Sequence, residues 1–182
     1  MELLNILDNY NYVIFDFDGT IVKLHVKWTE LKRELDHVLG VDFTKLNEGL
    51  KTLNTKELKR AFEIIEKHEH AAGYDVNSNL IGYIKKVDKH YAIFSDNLTS
   101  TVNKILYELG IATKFKIVIG KDSVSDFKPS GEGILKIIDF FSVGNDEIIL
   151  VGDSEKDKIA AESVGIRFIR CNFQKSENQK CG

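Results

Sequence analysis

Residues 12–20 read YVIFDFDGT, and this stretch joins an apolar run directly to two aspartates and a glycine. The apolar residues are consecutive rather than alternating with polar ones, which is typical of a strand covered on both faces, as in a parallel sheet. Gly19 lets the chain turn sharply after the run. We therefore predict a buried strand over residues 12–16 with acidic side chains at its carboxyl end.

Four further short runs are rich in isoleucine, valine and phenylalanine and end in the same way. They are YAIFS at 91–95, KIVIG at 116–120, EIILV at 147–151 and RFIR at 167–170. Helical patterns lie between these runs, so strands and helices alternate along the chain. This alternation predicts an α/β fold, a doubly wound parallel sheet of five strands. Its ligand site is expected beyond the carboxyl ends of the strands.

The intervening helices are predicted from apolar residues that recur every three or four positions. One face is made by Val102, Ile105, Leu106 and Leu109. A second is made by Ile134, Leu135, Ile138 and Phe141, and a third by Ile159, Ala160 and Val164. Each of these faces is expected to pack against the sheet.

Residues 24–74 interrupt the alternation, because they show helical faces and no strand pattern. The two faces are Trp28, Leu31, Leu35 and Val38, and Leu58, Ala61, Phe62 and Ile65. We predict a catalytic α/β core of residues 1–23 and 75–182, with residues 24–74 as a small all-helical cap over the strand ends. Ordinary packing helices are the alternative. His68 and His70 are two positions apart, so they face different sides of a helix, and we expect both on the surface.

Composition limits the possible partners. The 182 residues are 43% hydrophobic, which suits one globular domain with an insertion. A net charge of −3 gives no electrostatic reason to bind nucleic acid or an anionic membrane, and the apolar runs are far shorter than the roughly 20 residues of a membrane span. Two cysteines, Cys171 and Cys181, are too few for a disulfide framework. We expect a cytoplasmic monomer or homodimer.

Polar side chains follow four of the predicted strands. They are Asp16 and Asp18 after the first, Ser95 and Asn97 after the second, Lys128 beyond the third, and Asp153 and Asp157 after the fourth. In a parallel sheet these positions converge at one edge, where clustered carboxylates resist ionisation unless a cation joins them. Carboxylate oxygens suit Mg²⁺, and lysine, hydroxyl and amide groups suit phosphate oxygens. The pattern predicts a Mg²⁺ site for a phosphorylated substrate.

The two aspartates of residues 16–18 point the same way on an extended chain, so both can face one site. One carboxylate can attack phosphorus to form an aspartyl-phosphate, and the other can protonate the leaving oxygen and later accept a proton from water. Each motif also has a simpler interpretation. Asp-Gly is a common turn, and Ser154 with Asp157 forms a helix capping box. Their joint occurrence at successive strand ends favours a catalytic site.

Four motifs occur in order along the chain. They are DFDGT at 16–20, Ser95 at the end of an apolar strand, Lys128-Pro129, and GDSEKD at 152–157. In order and spacing they resemble the motifs of the haloacid dehalogenase-like hydrolase superfamily. Residues 115–169 look most similar to its phosphoglycolate phosphatase and β-phosphoglucomutase branch, in which a helical cap follows the first motif. The cap of this chain is shorter than is typical there, which leaves the substrate open.

The resemblance implies a sheet of strand order 5-4-1-2-3 and a Mg²⁺-dependent phosphatase that acts on a small phosphomonoester, for example a phosphoglycolate-like metabolite. It implies Asp16 as nucleophile and Asp18 as general acid and base. Mg²⁺ would be held by the side chains of Asp16 and Asp153 and the backbone carbonyl of Asp18. Phosphate contacts are implied for Ser95, Asn97 and Lys128. Asp157 would support Lys128 or the metal ion from behind.

Other functions stay open. A phosphosugar mutase shares the chemistry but needs a cap that excludes water. A signalling receiver domain also has clustered acids and a Lys-Pro pair, but it carries its acceptor aspartate on the third strand, where this chain has IGK at 119–121. A catalytically idle interaction domain would not need the full set of acids and Lys128. Dehalogenases of the superfamily lack the second acid, so Asp18 favours phosphoryl transfer.

Overall fold

The computed structural model describes residues 2–173, so Cys181 lies outside the described part. Its α-helices are α1 (Glu2–Leu7), α2 (Trp28–Leu39), α3 (Leu46–Lys51), α4 (Thr55–Ala71), α5 (Ser78–Lys86), α6 (Thr99–Glu108), α7 (Glu132–Phe141) and α8 (Glu155–Val164). Its strands are β1 (Tyr12–Phe15), β2 (Val22–Leu24), β3 (Tyr74–Val76), β4 (His90–Phe94), β5 (Phe115–Ile119), β6 (Ile148–Gly152) and β7 (Arg167–Arg170). No helix within residues 2–173 is both long enough and apolar enough to cross a membrane.

Five of the strands form one sheet in the order β5-β4-β1-β6-β7, and every neighbouring pair is parallel. Counted in chain order within this sheet, the order is 3-2-1-4-5, which is the expected 5-4-1-2-3 viewed from the other edge. The labels differ because β2 and β3 form a separate two-stranded sheet. The predicted α/β fold is confirmed. The two short strands were not predicted, because three residues with a polar one in the middle make no apolar run.

The centre of the sheet is buried on both faces. The side chains of Val13, Ile14 and Phe15 on β1 have no exposed surface, and the same holds for residues 148–151 on β6. Helices therefore cover both sides of these strands, which is why the strands consist of consecutive apolar residues. Burial of each such side chain contributes about 1.5–3 kcal/mol.

Two predicted helix faces are wrong in part. Leu135 on α7 is 54% exposed, and Ile159 on α8 is also exposed. The buried residues of α7 are Gly133, Ile134 and Ile137, and those of α8 include Ala160 and Ala161. A Cβ atom at Gly133 would overlap the ring of Phe94. The inner faces include small residues, Gly133 on α7 and Ala160 and Ala161 on α8, where the helices approach their neighbours closely. A pattern based on large apolar residues alone misses these positions.

Residues 24–73 form one compact unit, here called the helical unit, and the described residues on either side of it form the other, the core unit. Within the helical unit, α2 packs against α4 through buried residues that include Leu31, Leu35, Ala61 and Ile65. The backbone amide of His25 donates to the carbonyl of Gly73 at 2.9 Å. The two ends of the inserted segment are therefore adjacent.

The expectation that His68 lies exposed on the surface is wrong. Its side chain is only 15% exposed, and its Nε2 lies 2.8 Å from Oε2 of Glu34. Lys67 also contacts Glu34, with 2.9 Å between Nζ and Oε1. Glu34 on α2 thus connects to two neighbouring residues of α4. The exposed surface position expected for His70 is confirmed.

Candidate active site

Three of the predicted site residues come directly after parallel strands. Asp16 follows β1, Ser95 follows β4 and Asp153 follows β6. The amide of Asp16 donates to the carbonyl of Val151 at 2.8 Å, and the amide of Ser95 donates to Ile119 at 2.9 Å. These bonds continue the sheet by one residue beyond the strands. The carboxyl ends of the strands therefore hold the predicted residues at one edge of the sheet.

Lys128 brings two carboxylates together. Its Nζ lies 2.7 Å from Oδ1 of Asp16 and 2.6 Å from Oδ1 of Asp157. The exposed fractions of these side chains are 2% for Lys128, 8% for Asp16 and 1% for Asp157. The ammonium also lies 4.7 Å from the centre of the Phe94 ring. The pKa of Lys128 is raised, because the two carboxylates outweigh the effect of burial. The lysine is therefore a fixed positive charge.

Asp157 has a second role at the start of α8. Its Oδ2 accepts hydrogen bonds from the hydroxyl of Ser154 at 2.6 Å and from the Ser154 amide at 3.1 Å. Ser154 in turn accepts from the amide of Asp157, so the predicted capping box is present. One oxygen of Asp157 thus caps the helix while the other contacts Lys128. The structural and the functional interpretations of this residue are compatible.

A group of carboxylates fits a divalent cation. Asp16, Asp153 and Asp157 each offer an oxygen, and these oxygens lie within 4.8 Å of one another. Burial raises the pKa of Asp16 to about 7; Lys128 opposes this shift, while the charges of Asp157 and Asp153 add to it. Burial, and then the charge of Asp157, also raise the pKa of Asp153. A cation would relieve this repulsion, and an all-oxygen donor set suits Mg²⁺.

Asp18 lies beyond the end of β1, where the chain turns. It forms an isolated parallel bridge with Val22, and the amide of Gly19 donates to the carbonyl of Val22 at 2.7 Å. Gly19 has a φ of +91°, and a Cβ atom there would overlap the carboxylate of Asp153. Glycine is needed both for the turn and for this close approach. The side chain of Asp18 is not one of the three that form the carboxylate group.

Ser95 and Asn97 are brought together in the loop after β4. The Ser95 hydroxyl donates to Oδ1 of Asn97 at 3.1 Å and accepts from the Asn97 amide at 3.0 Å. Both residues are buried. A hydroxyl and an amide side chain are thus fixed at the same sheet edge as Asp16.

Two residues of this region were missed from the sequence. Thr20 is fully buried, and its hydroxyl donates to Oδ2 of Asp16 at 3.3 Å. Lys121 is also buried, and its amide donates to the carbonyl of Asn97 at 2.9 Å. Thr20 is part of the DFDGT motif and could have been noticed there. Lys121 belongs to no motif, and its burial depends on how the loop after β5 folds back.

The loop after β4 also carries a carboxylate, Asp96, among lysines. Burial would raise the pKa of Asp96, but Lys121, Lys128 and Lys156 together lower it. Nζ of Lys156 lies 3.2 Å from Oδ2 of Asp96. The positive charges of these three lysines therefore keep Asp96 ionised despite its burial.

The comparisons with known proteins identify the family of this chain. A model of the family described as haloacid dehalogenase-like hydrolase matches residues 13–171. The chain belongs to this family. The predicted superfamily is confirmed, and so is the similarity of this hydrolase to the phosphoglycolate phosphatase branch. The matched range contains every predicted site residue.

Individual relatives of this haloacid dehalogenase-like hydrolase are distant. It is 26% identical over 173 residues to phosphoglycolate phosphatase of Aquifex aeolicus, covering 85% of this chain and 81% of the relative. It is 22% identical over 174 residues to pyrophosphatase PpaX of Halalkalibacterium halodurans, covering 86% and 81%. The crystal structure of CbbY from Rhodobacter sphaeroides in complex with phosphate has a TM-score of 0.63 at 19% identity, covering 94% of this chain and 90% of that one. This last similarity concerns the fold alone.

Proposed function

We propose that this hydrolase is a Mg²⁺-dependent phosphatase that cleaves a small phosphomonoester through an aspartyl-phosphate intermediate. The observation that carries the proposal is the position of Lys128 between Asp16 and Asp157, beside the carboxylate of Asp153. A fixed cation next to a buried carboxylate suits a reaction in which a phosphate dianion approaches a nucleophilic oxygen. The names of the phosphatase and pyrophosphatase relatives support the same class of reaction.

In the proposed reaction, an oxygen of Asp16 forms a bond to phosphorus while the bond from phosphorus to the ester oxygen breaks. Asp18 protonates the leaving oxygen and then accepts a proton from the water that attacks phosphorus. The bond from phosphorus to the Asp16 oxygen breaks in this second step, which releases phosphate and restores the carboxylate. Lys128 contacts Oδ1 of Asp16, and Thr20 donates to Oδ2, so both oxygens are held in defined directions. Ser95, Asn97 and Lys128 are the proposed contacts of the phosphate oxygens.

The proposed ligands of Mg²⁺ are the side chains of Asp16 and Asp153 and the backbone carbonyl of Asp18. Asp157 is proposed to hold Lys128 in place rather than to bind the ion. The ion, when bound, neutralises negative charge on the phosphate. Asp157 is already engaged by Lys128 and by the cap of α8. We therefore assign it to the support of the site rather than to the metal.

The helical unit is the proposed cover of the site. Its small size favours a small phosphorylated metabolite over a phosphoprotein or a nucleic acid, and the net charge of −3 gives no electrostatic reason to bind nucleic acid. The cytoplasmic location and the monomeric or homodimeric state stay predictions.

A panel of phosphomonoesters tests the function. Phosphate release is measured from an aryl phosphate, phosphoglycolate, sugar phosphates and inorganic diphosphate, each with Mg²⁺ and with excess EDTA, and with Asp16→Asn as the control protein. We expect Mg²⁺-dependent release from at least one small ester and none from the control. Full activity in EDTA contradicts the metal assignment, and equal activity of the control assigns the release to a contaminant. No release from any ester contradicts the proposed function.

A further inference from the structure

Asn77 is a buried residue whose hydrogen bonds connect two loops of the core unit. It follows β3, is 5% exposed, and caps α5 by accepting the amide of Leu80 at 3.3 Å through Oδ1. Its Nδ2 donates to the carbonyl of Thr20 at 3.0 Å and approaches Sγ of Cys171 at 3.8 Å. Its own amide donates to the carbonyl of Ile21 at 3.0 Å. A buried amide with all these groups satisfied holds its neighbours in one arrangement.

The bond from Asn77 leads to Asp16 through one residue. The Thr20 carbonyl accepts the hydrogen bond from Nδ2 of Asn77. The Thr20 hydroxyl donates to Oδ2 of Asp16 at 3.3 Å. The other oxygen of Asp16, Oδ1, contacts Lys128 at 2.7 Å. The direction of the Asp16 carboxylate is thus defined from two sides, by Lys128 and by the turn that Asn77 holds.

We propose that Asn77 is a positioning residue for Asp16 and acts through Thr20. The proposal rests on the proposed function, because it needs Asp16 to be the nucleophile. In-line attack requires an aligned oxygen, and a displacement of about 1 Å can reduce the rate about 100-fold. Capping of α5 uses only Oδ1 of Asn77. The Nδ2 bond to Thr20 is not required for the cap, so the two roles can be separated by substitution.

Asn77→Asp separates them, since it keeps the shape and the cap acceptor and removes the Nδ2 donor. It also adds a charge at a buried position, so Asn77→Ser, which removes the donor without adding a charge, is assayed beside it. Asn54→Asp is the control for the same substitution at a helix cap, because the Asn54 side chain accepts hydrogen bonds from the amides of Lys56 and Glu57 at the start of α4. Asn54 is exposed, so this control adds no buried charge. We expect Asn77→Asp to lower kcat for an aryl phosphate about 10- to 100-fold, with KM changed less than about threefold. Asn54→Asp should stay within about twofold of wild type in both constants, since aspartate caps as well as asparagine.

A second measurement does not depend on activity. The amides of Thr20, Ile21 and Val22 all donate to the carbonyl of Phe17, at 3.3, 3.0 and 3.1 Å. We expect Asn77→Asp to speed hydrogen exchange in this turn, with exchange in β4 and β6 unchanged. A double-mutant cycle with Thr20→Val completes the test. If Asn77 acts through Thr20, Asn77→Asp has little further effect on kcat once the Thr20 hydroxyl is gone.

The outcomes separate this proposal from the function it rests on. A wild-type protein that hydrolyses no ester contradicts the proposed function, and the catalytic role of Asn77 falls with it. If the wild type is active, an unchanged kcat or unchanged exchange in the turn overturns the positioning role alone. Exchange that rises throughout the core also overturns it, because it indicates a merely structural residue. If Asn77→Asp does not fold, Asn77→Ser replaces it, since serine still caps α5 but is too short to reach Thr20.

Discussion

The ammonium group of Lys128 lies 2.7 Å from Oδ1 of Asp16, although 112 positions separate the two residues in the chain. Both side chains are almost completely buried. A buried charge without its partner is strongly destabilising, so the pair constrains both the stability and the chemistry of the site.

Substitution of Lys128 tests the first consequence. Lys128→Met leaves the carboxylates of Asp16 and Asp157 buried without a cation, and we expect the free energy of unfolding to fall by about 3–5 kcal/mol at pH 7. Lys136→Met is the control, because the Lys136 side chain is 44% exposed and its ion pair with Glu132 is worth only about 1 kcal/mol or less. Urea unfolding measures both variants. Equal losses of unfolding free energy in the two variants would show that the buried ion pairs of Lys128 stabilise the protein no more than an exposed pair does.

Substitution of either aspartate of the first motif should reduce turnover severely. Asp16→Asn should abolish phosphate release, because an amide oxygen does not attack phosphorus. Asp18→Asn should reduce kcat about 10²- to 10⁴-fold through loss of the general acid. Phosphate release by folded protein, with the fold checked by circular dichroism, is the measurement. Near wild-type turnover in either variant contradicts the role assigned to that residue.

Gly19 should tolerate no side chain. Gly19→Ala places a Cβ on a residue with φ of +91° and against the carboxylate of Asp153. Gly110→Ala is the matched control, since its φ of +66° carries the same kind of strain but nothing lies within 4 Å of its Cβ. We expect a loss of about 1–2 kcal/mol of unfolding free energy for Gly110→Ala and clearly more for Gly19→Ala. Similar losses would mean that the approach to Asp153 has no energetic importance.

Acid should loosen the helical unit through Glu34. Hydrogen bonds from Lys67 and His68 lower the pKa of Glu34. The ionised Glu34 carboxylate therefore stabilises the folded state at any pH above the ordinary glutamate pKa. This stabilisation is lost as the pH falls through the lowered pKa of Glu34. Trp28, the only tryptophan, lies at the start of α2 and reports the change by fluorescence. Glu34→Gln should remove this acid transition. An identical transition in wild type and variant would assign it to another group.

Removal of the helical segment tests its proposed role as a cover. Because His25 and Gly73 are hydrogen-bonded, a short Gly/Ser linker can replace residues 27–72. We expect the core unit to fold and to keep Asp16-dependent phosphate release. The ratio of kcat/KM between the best and the worst ester should fall toward one, because an open site neither excludes water nor selects a leaving group. A folded deletion variant with wild-type selectivity would place specificity in the core loops.

Local sequence was sufficient for much of the fold. The apolar runs located all five strands of the main sheet to within one residue at either end, since burial on both faces forces consecutive apolar residues. The faces of α7 and α8 were less predictable. Their inner surfaces include Gly133 on α7 and Ala160 and Ala161 on α8, where the neighbours come close. Only the packing shows that Leu135 and Ile159 are exposed.

The sequence by itself determined the chemical groups available at the strand ends, the turn at Gly19 and the capping box of Ser154 and Asp157, because these depend on residue type and on neighbours a few positions away. The tertiary structure alone decided which groups touch. The contact of Lys128 with Asp16, the bond from Asn77 to Thr20 and the raised pKa of Asp16 all join distant parts of the chain or depend on burial. Distance and exclusion of water arise from packing, and no local pattern of residues encodes them.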